Sequence, residues 1–162
     1  MLSTSRLTGR RTAGLLLLIG LLFVGAAQAG QDGRTTIMVL GDSLGDGMYV
    51  GLYRAVRDNP NVTVFRLSKI GTGLFNFDLK AWRRQLAQVI ATRGPDVAVV
   101  MLGGNDPQPI RLPGRERYAF RSEEWRTHYV ARLDEYMRSL IDAGLAVFWV
   151  GLPSMREPDY DR

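Results

Sequence analysis

Thr36-Ile37-Met38-Val39-Leu40-Gly41-Asp42-Ser43-Leu44 decides the fold, because a short apolar, β-branched run passes without a linker into a turn and then into helical periodicity. Such a run predicts a strand buried on both faces. Behind it Leu44, Met48, Leu52, Ala55 and Val56 recur at helical spacing, and Asn59-Pro60 ends that helix. Further strands are expected over Val62 to Leu67, Val97 to Leu102 and Ala146 to Val150. A second helix carries Leu79, Trp82, Leu86, Val89 and Ile90 and closes at Gly94-Pro95. The third carries Val130, Leu133, Met137, Leu140 and Ile141, with Ser122 as N-cap, Glu123 and Glu124 in its first turn and Gly144 as its stop. Strand-helix alternation of this regularity predicts a parallel sheet with helices on both faces.

The chain has 162 residues, 46% of them hydrophobic and 23% charged, with no cysteine. That is one domain's worth of chain, and it excludes a disordered protein, a coiled coil and a thiolate or disulfide scaffold. The formal charge of +5 suggests nucleic acid, but Arg6, Arg10 and Arg11 stand in a leader. An apolar stretch from Ala13 to Ala27 follows them, then Ala27-Gln28-Ala29, an A-x-A cleavage site. Residues 1–29 are therefore expected to be a signal peptide, leaving a domain over residues 30–162 without a stable membrane anchor. The apolar stretch falls short of the ~20 residues a spanning helix needs. Arg10-Arg11 leaves the export route, Sec or twin-arginine, open. The expected location is periplasmic or extracellular. Without the leader, 18 basic and 16 acidic residues remain, so charge does not point to nucleic acid.

In a parallel α/β sheet chemistry gathers at the carboxyl ends of the strands. The first strand runs into Gly41-Asp42-Ser43-Leu44, the second into Gly71-Thr72-Gly73, and the third into Gly103-Gly104-Asn105-Asp106. Each is also ordinary turn chemistry, and Ser43 alone reads as a helix N-cap. Their combination reads differently. A serine at a strand-to-helix turn sits at the positive end of the helix dipole, a glycine lets a backbone N–H approach, and an asparagine supplies a carboxamide N–H. One hydroxyl and three donors describe a site for a tetrahedral oxyanion. Asp42 and Asp106 are expected to fix loop geometry rather than to do acid-base work, and Asp46 to flank the first helix.

These blocks resemble those of the SGNH or GDSL hydrolases. Gly41-Asp42-Ser43-Leu44 resembles the first block, with Ser43 as nucleophile. Gly73 resembles the second-block glycine, with Gly71 as its alternate, and Gly104-Asn105-Asp106 resembles the third block. Separations of 30 residues from Ser43 to Gly73 and 32 from Gly73 to Asn105 suit one strand-helix unit each. The wording Ser68-Lys69-Ile70-Gly71-Thr72-Gly73-Leu74 and Phe148-Trp149-Val150-Gly151-Leu152-Pro153 resembles a bacterial exported subgroup long catalogued as a domain of unknown function. The resemblance implies a three-layer α/β/α, flavodoxin-like parallel sheet of order 2-1-3-4, with a fifth strand missing. It also implies a metal-free and cofactor-free serine esterase acting on acyl or acetyl esters of lipid or carbohydrate, the latter including the cell envelope. Ser43 would attack, and the Ser43 N–H, the Gly73 N–H and Asn105 would hold the oxyanion, supported by Gly41, Asp42, Gly104 and Asp106.

The resemblance also implies an Asp-x-x-His block carrying the general base, and none stands in this sequence. Its one histidine, His128, is expected on the solvent face of the third helix, opposite Val130, Leu133 and Met137. The chain is accordingly read as a truncated or frameshifted member, impaired in turnover. Ala146 to Val150 is then expected as an exposed apolar edge prone to self-pairing. Residues 107–121, with Arg111, Arg115, Arg117, Arg121, Tyr118 and Phe120, read either as the wall of a substrate cleft or as a solvated excursion. Two rival functions are a nucleotide-binding module and a non-catalytic envelope module that binds glycan. The first is disfavoured because Gly45, Gly47 and Gly51 do not make G-x-G-x-x-G.

Overall fold

The computed structural model describes residues 33–114 and 117–154. The expected leader, its cleavage site and Arg115 lie outside the described residues. The elements run β1 (Thr35–Gly41), α1 (Ser43–Val56), β2 (Val62–Arg66), a 3₁₀ turn (Leu74–Asn76), α2 (Leu79–Arg93), β3 (Val97–Met101), β4 (Ile110–Arg111), β5 (Arg117–Tyr118), α3 (Glu123–Ile141) and β6 (Ala146–Trp149). Every expected strand and helix is present within a few residues of its expected bounds.

The main sheet is parallel, in the order β2-β1-β3-β6. The chain steps one way from β1 to β2 and the other way from β2 to β3, and crossovers of the usual right hand then put α1 and α2 on opposite faces. This is the flavodoxin-like arrangement, β6 standing as the fourth strand. Met38, Leu40, Ala98 and Val100 point to the α2 and α3 face and cluster with Trp82, Leu86, Tyr136 and Leu140. The opposite face is covered less completely. In β3, Val97, Val99 and Met101 are half-buried where Ala98 and Val100 are buried, and Phe148 in β6 is 60% exposed.

Two expectations change. Residues 107–121 contain a small antiparallel ribbon, with Ile110 opposite Tyr118 and Arg111 opposite Arg117. Its aromatics turn onto α3, Tyr118 stacking on His128 at 4.9 Å and Phe120 meeting Trp125 edge-on at 4.9 Å. Neither an open cleft wall nor a free solvated loop describes it. The inward stripe of α3 is also phased differently. Trp125, Tyr129, Leu133, Tyr136 and Leu140 face inward, whereas Val130 is 61% exposed. The helix starts from Ser122, whose side chain accepts from the Trp125 N–H, and its large aromatics fill the space that the aliphatic pattern alone assigned to Val130. His128 is accordingly half-buried beneath Tyr118 rather than solvent-facing.

Candidate active site

Strand register brings the three loops to one edge. Gly41 lies opposite Met101, so Asp42 and Leu102 leave the sheet side by side. On the other flank the Leu67 N–H donates to the Val39 carbonyl at 2.8 Å and the Lys69 N–H to the Gly41 carbonyl at 2.9 Å, carrying the second loop to the same level.

A ring of hydrogen bonds then ties the loops to one another. Asp42, fully buried, accepts from the Leu44 N–H at 2.8 Å, the Gly103 N–H at 3.2 Å and the Gly104 N–H at 2.9 Å, joining the first loop to the third. The Asn105 Nδ2 donates to the Thr72 carbonyl at 2.9 Å, joining the third to the second. The Thr72 hydroxyl donates to the Lys69 carbonyl at 2.6 Å and reaches the Gly41 carbonyl at 3.4 Å, joining the second to the first. Asp42 is thus the N-cap of α1, and Ser43 is its first helical residue. The cap that Ser43 alone would suggest is therefore Asp42, and the physical reason is that a carboxylate accepts three amides where a hydroxyl serves fewer.

Freed from capping, Ser43 is exposed, and its hydroxyl makes no hydrogen bond among the described residues. The Ser43 and Gly73 amides also donate to nothing among the described residues. Asn105 has spent one carboxamide N–H on Thr72 and retains the other. The edge therefore offers one hydroxyl and three unspent N–H donors, of which the Ser43 hydroxyl and amide stand at the N-terminus of α1.

Two glycines are required by close approach. Gly41 has φ +143°, and a Cβ there would overlap the Met101 carbonyl oxygen. A Cβ at Gly73 would overlap the Asp106 Oδ1. Gly71 is exposed with open space around it, so the structure separates the two glycines of this loop.

Asp106, 3% exposed, accepts from the Phe75 N–H at 3.2 Å and the Tyr129 hydroxyl at 2.8 Å. Burial raises its carboxyl above the usual carboxylate range, against the hydrogen bonds from Tyr129 and the Phe75 and Leu74 amides. Burial likewise pushes the Tyr129 phenol up. Arg132 donates to the carbonyls of Leu74, at 2.7 Å, and Phe75. Tyr129 and Arg132, one turn apart on α3, thus clamp the segment that follows Gly73. Sequence reasoning missed both. Their i, i+3 spacing on one helix face was visible, but nothing local says what that face meets. Asp46 sits off the site, accepting from Arg66 at 2.9 Å and Ser68 at 3.0 Å, which ties α1 to the end of β2.

Residues 36–162 match the family described as "Protein of unknown function (DUF459)". The chain belongs to the DUF459 family. Its fold is similar to that of solved structures. TesA matches with a TM-score of 0.52 at 20% identity, over 78% of this chain and 64% of that one. The psychrotrophic esterase EstA from Pseudoalteromonas sp., in a structure inhibited by monoethylphosphonate, matches with a TM-score of 0.43 at 20% identity, over 78% and 66%. The DUF459 chain thus spans just under two thirds of the length of either. Comparison with curated proteins gives no match. The TesA likeness shows the fold, the parallel sheet flanked by helices expected from the sequence.

Proposed function

We propose that the protein is an exported serine ester hydrolase of the SGNH/GDSL type, acting on acyl or acetyl esters of envelope carbohydrate or lipid. The observation that carries this reading is the hydrogen-bond ring through Asp42, Asn105 and Thr72, which holds three loops together while leaving the Ser43 hydroxyl and the Ser43 and Gly73 amides unspent. In the reaction the Ser43 Oγ attacks the acyl carbon and its proton passes to a base. The carbonyl oxygen becomes an oxyanion held by the Ser43 N–H, the Gly73 N–H and the Asn105 carboxamide. Collapse breaks the ester C–O bond, the leaving oxygen takes the proton back from the base and departs as the alcohol, and water then hydrolyses the acyl-Ser43 to the free acid and Ser43. His128 is not assigned as the base: it stacks on Tyr118 and makes no hydrogen bond to Ser43.

The test measures hydrolysis of p-nitrophenyl acyl esters with and without added imidazole, which can stand in as the base beside an exposed serine. The readout is the component lost in Ser43→Ala. Asn105→Ala is expected to lower that component roughly 10²–10³-fold, the usual effect of removing one oxyanion donor. His128→Ala is expected to leave it unchanged. Rates identical with and without Ser43 under both conditions would overturn the reading.

A further inference from the structure

Trp125, Tyr129 and Arg132 succeed one another by about a turn on α3 and so share one face of the helix. Every polar atom this face presents ends beside a proposed oxyanion donor. One guanidinium nitrogen of Arg132 bridges the carbonyls of Leu74 and Phe75, the two residues after Gly73. The Tyr129 hydroxyl donates at 2.8 Å to the carboxyl of Asp106, the residue after Asn105, and the other oxygen of that carboxyl accepts from the Phe75 N–H at 3.2 Å. Trp125 stacks on Tyr129 with ring centroids 4.5 Å apart, and its Nε1 donates to the Gln108 carbonyl at 2.7 Å. The Gln108 side chain in turn donates to the carbonyl of Asn105 itself at 2.9 Å. A single helix face therefore grips both the Gly73 loop and the Asn105 loop.

Gly73 needs such a grip. It is extended, with φ −168° and ψ 167°, and starts the 3₁₀ turn with no side-chain hydrogen bond of its own. A glycine has the freest backbone of any residue, so the direction of its N–H has to be fixed by its neighbours. Upstream, the Thr72 carbonyl is held by the Asn105 Nδ2. Downstream, the hold comes from Arg132. Among the described residues Arg132 forms no salt bridge, although it is half-buried and burial works against its charge. A charge kept there without a carboxylate partner costs stability that an apolar side chain would not cost. What the guanidinium adds is direction, because it fixes two successive carbonyls at once. Oxyanion donors act only when they are aimed before the reaction begins, and a misplacement of about 1 Å costs roughly 10²-fold in rate.

We propose that Trp125, Tyr129 and Arg132 are positioning residues, which hold the Gly73 N–H and the Asn105 carboxamide at a fixed separation. They act through the two loops. The proposal rests on the esterase reading for the reaction that these donors serve.

The experiment compares the full chain with Arg132→Met, Arg132→Lys, Tyr129→Phe and Trp125→Phe, and with Val130→Ala on the exposed face of the same helix as control. Thermal melting checks that each is folded. The first readout is the NMR order parameter of the backbone N–H at Gly73 and Asn105. Both are expected near the rigid value of about 0.85 in the parent and the control. Gly73 should fall below about 0.6 in Arg132→Met and less far in Arg132→Lys, which keeps the charge and a donor. Trp125→Phe keeps the stack, loses the Nε1 donor and should loosen Asn105. The second readout is the Ser43-dependent, imidazole-assisted hydrolysis of p-nitrophenyl esters. There kcat should fall roughly 10²-fold in Arg132→Met and about tenfold in Tyr129→Phe, with KM unchanged. Were Arg132→Met to unfold, Tyr129→Phe, which removes a single hydroxyl, carries the same comparison. Order parameters unchanged in every folded variant, an equal effect of Val130→Ala, or a change in KM alone would overturn the positioning role. So would loss of order at Gly73 with kcat intact. Loss of order without Ser43-dependent turnover in any of the proteins would support the grip of α3 on the two loops and sink only the esterase reading.

Discussion

Asp42 is the residue on which the site's geometry depends, because one buried carboxylate accepts three backbone amides from two loops. Asp42→Ala leaves those amides without their acceptor, at ~1–3 kcal/mol for each unsatisfied group. Denaturant unfolding should show a loss of several kcal/mol, and Asp42→Asn, which keeps one acceptor oxygen, a smaller one. Asp106 makes a different prediction, because burial raises its carboxyl above the ordinary value of 3.8. An acid with a raised folded value contributes stability that is fully present below that ordinary value and is lost as the pH rises through the folded one. Asp106→Asn removes the titration. The melting temperature of the variant relative to the parent should therefore climb with pH across that interval, and a difference independent of pH would refute this. That Asp42 and Asp106 serve geometry was legible in their place within Gly-rich turns, whereas the identity of their partners was not. Gly103 lies 61 residues from Asp42, and Tyr129 lies 23 from Asp106.

Among the elements, β6 carries the clearest liability. It pairs with β3 on one side, and among the described residues no strand pairs with its other side. Phe148 adds an exposed aromatic to that edge. Apolar edges of this kind recruit other strands. Self-association of the chain through β6 is proposed, and Phe148→Lys should reduce it, read as a smaller rise in light-scattering mass with concentration; an identical rise in both proteins would refute it. The α3 helix shows what pattern reading leaves out. Its ends were legible from Ser122 and Gly144, but its inward stripe was not, because Tyr129, Arg132 and Tyr136 find their partners on β1's neighbouring loops and on α2 rather than along the helix. A polar or amphipathic side chain has no preferred face until its partner is in place.

For the molecule as a whole, export remains a proposal that rests on Ala27-Gln28-Ala29. Intact mass of the exported protein should place its first residue at Gly30, and a species retaining residues 1–29 would refute cleavage. Local sequence determined the strand-helix alternation, the strands and helices within a few residues, and the three Gly-rich loops at one sheet edge, since periodicity, caps and turns act over a few neighbouring residues. It also determined the candidate nucleophile and oxyanion donors, because those blocks are contiguous. Only the tertiary structure decided that Asp42 rather than Ser43 caps α1, that Asp106 presses against Gly73, that His128 stacks under Tyr118, and that a cavity lined in part by Tyr136 lies beside the site. Each of these depends on a contact between segments tens of residues apart or on the side chain that wins a shared donor, and such contacts form only when the sheet register has set the loops beside one another.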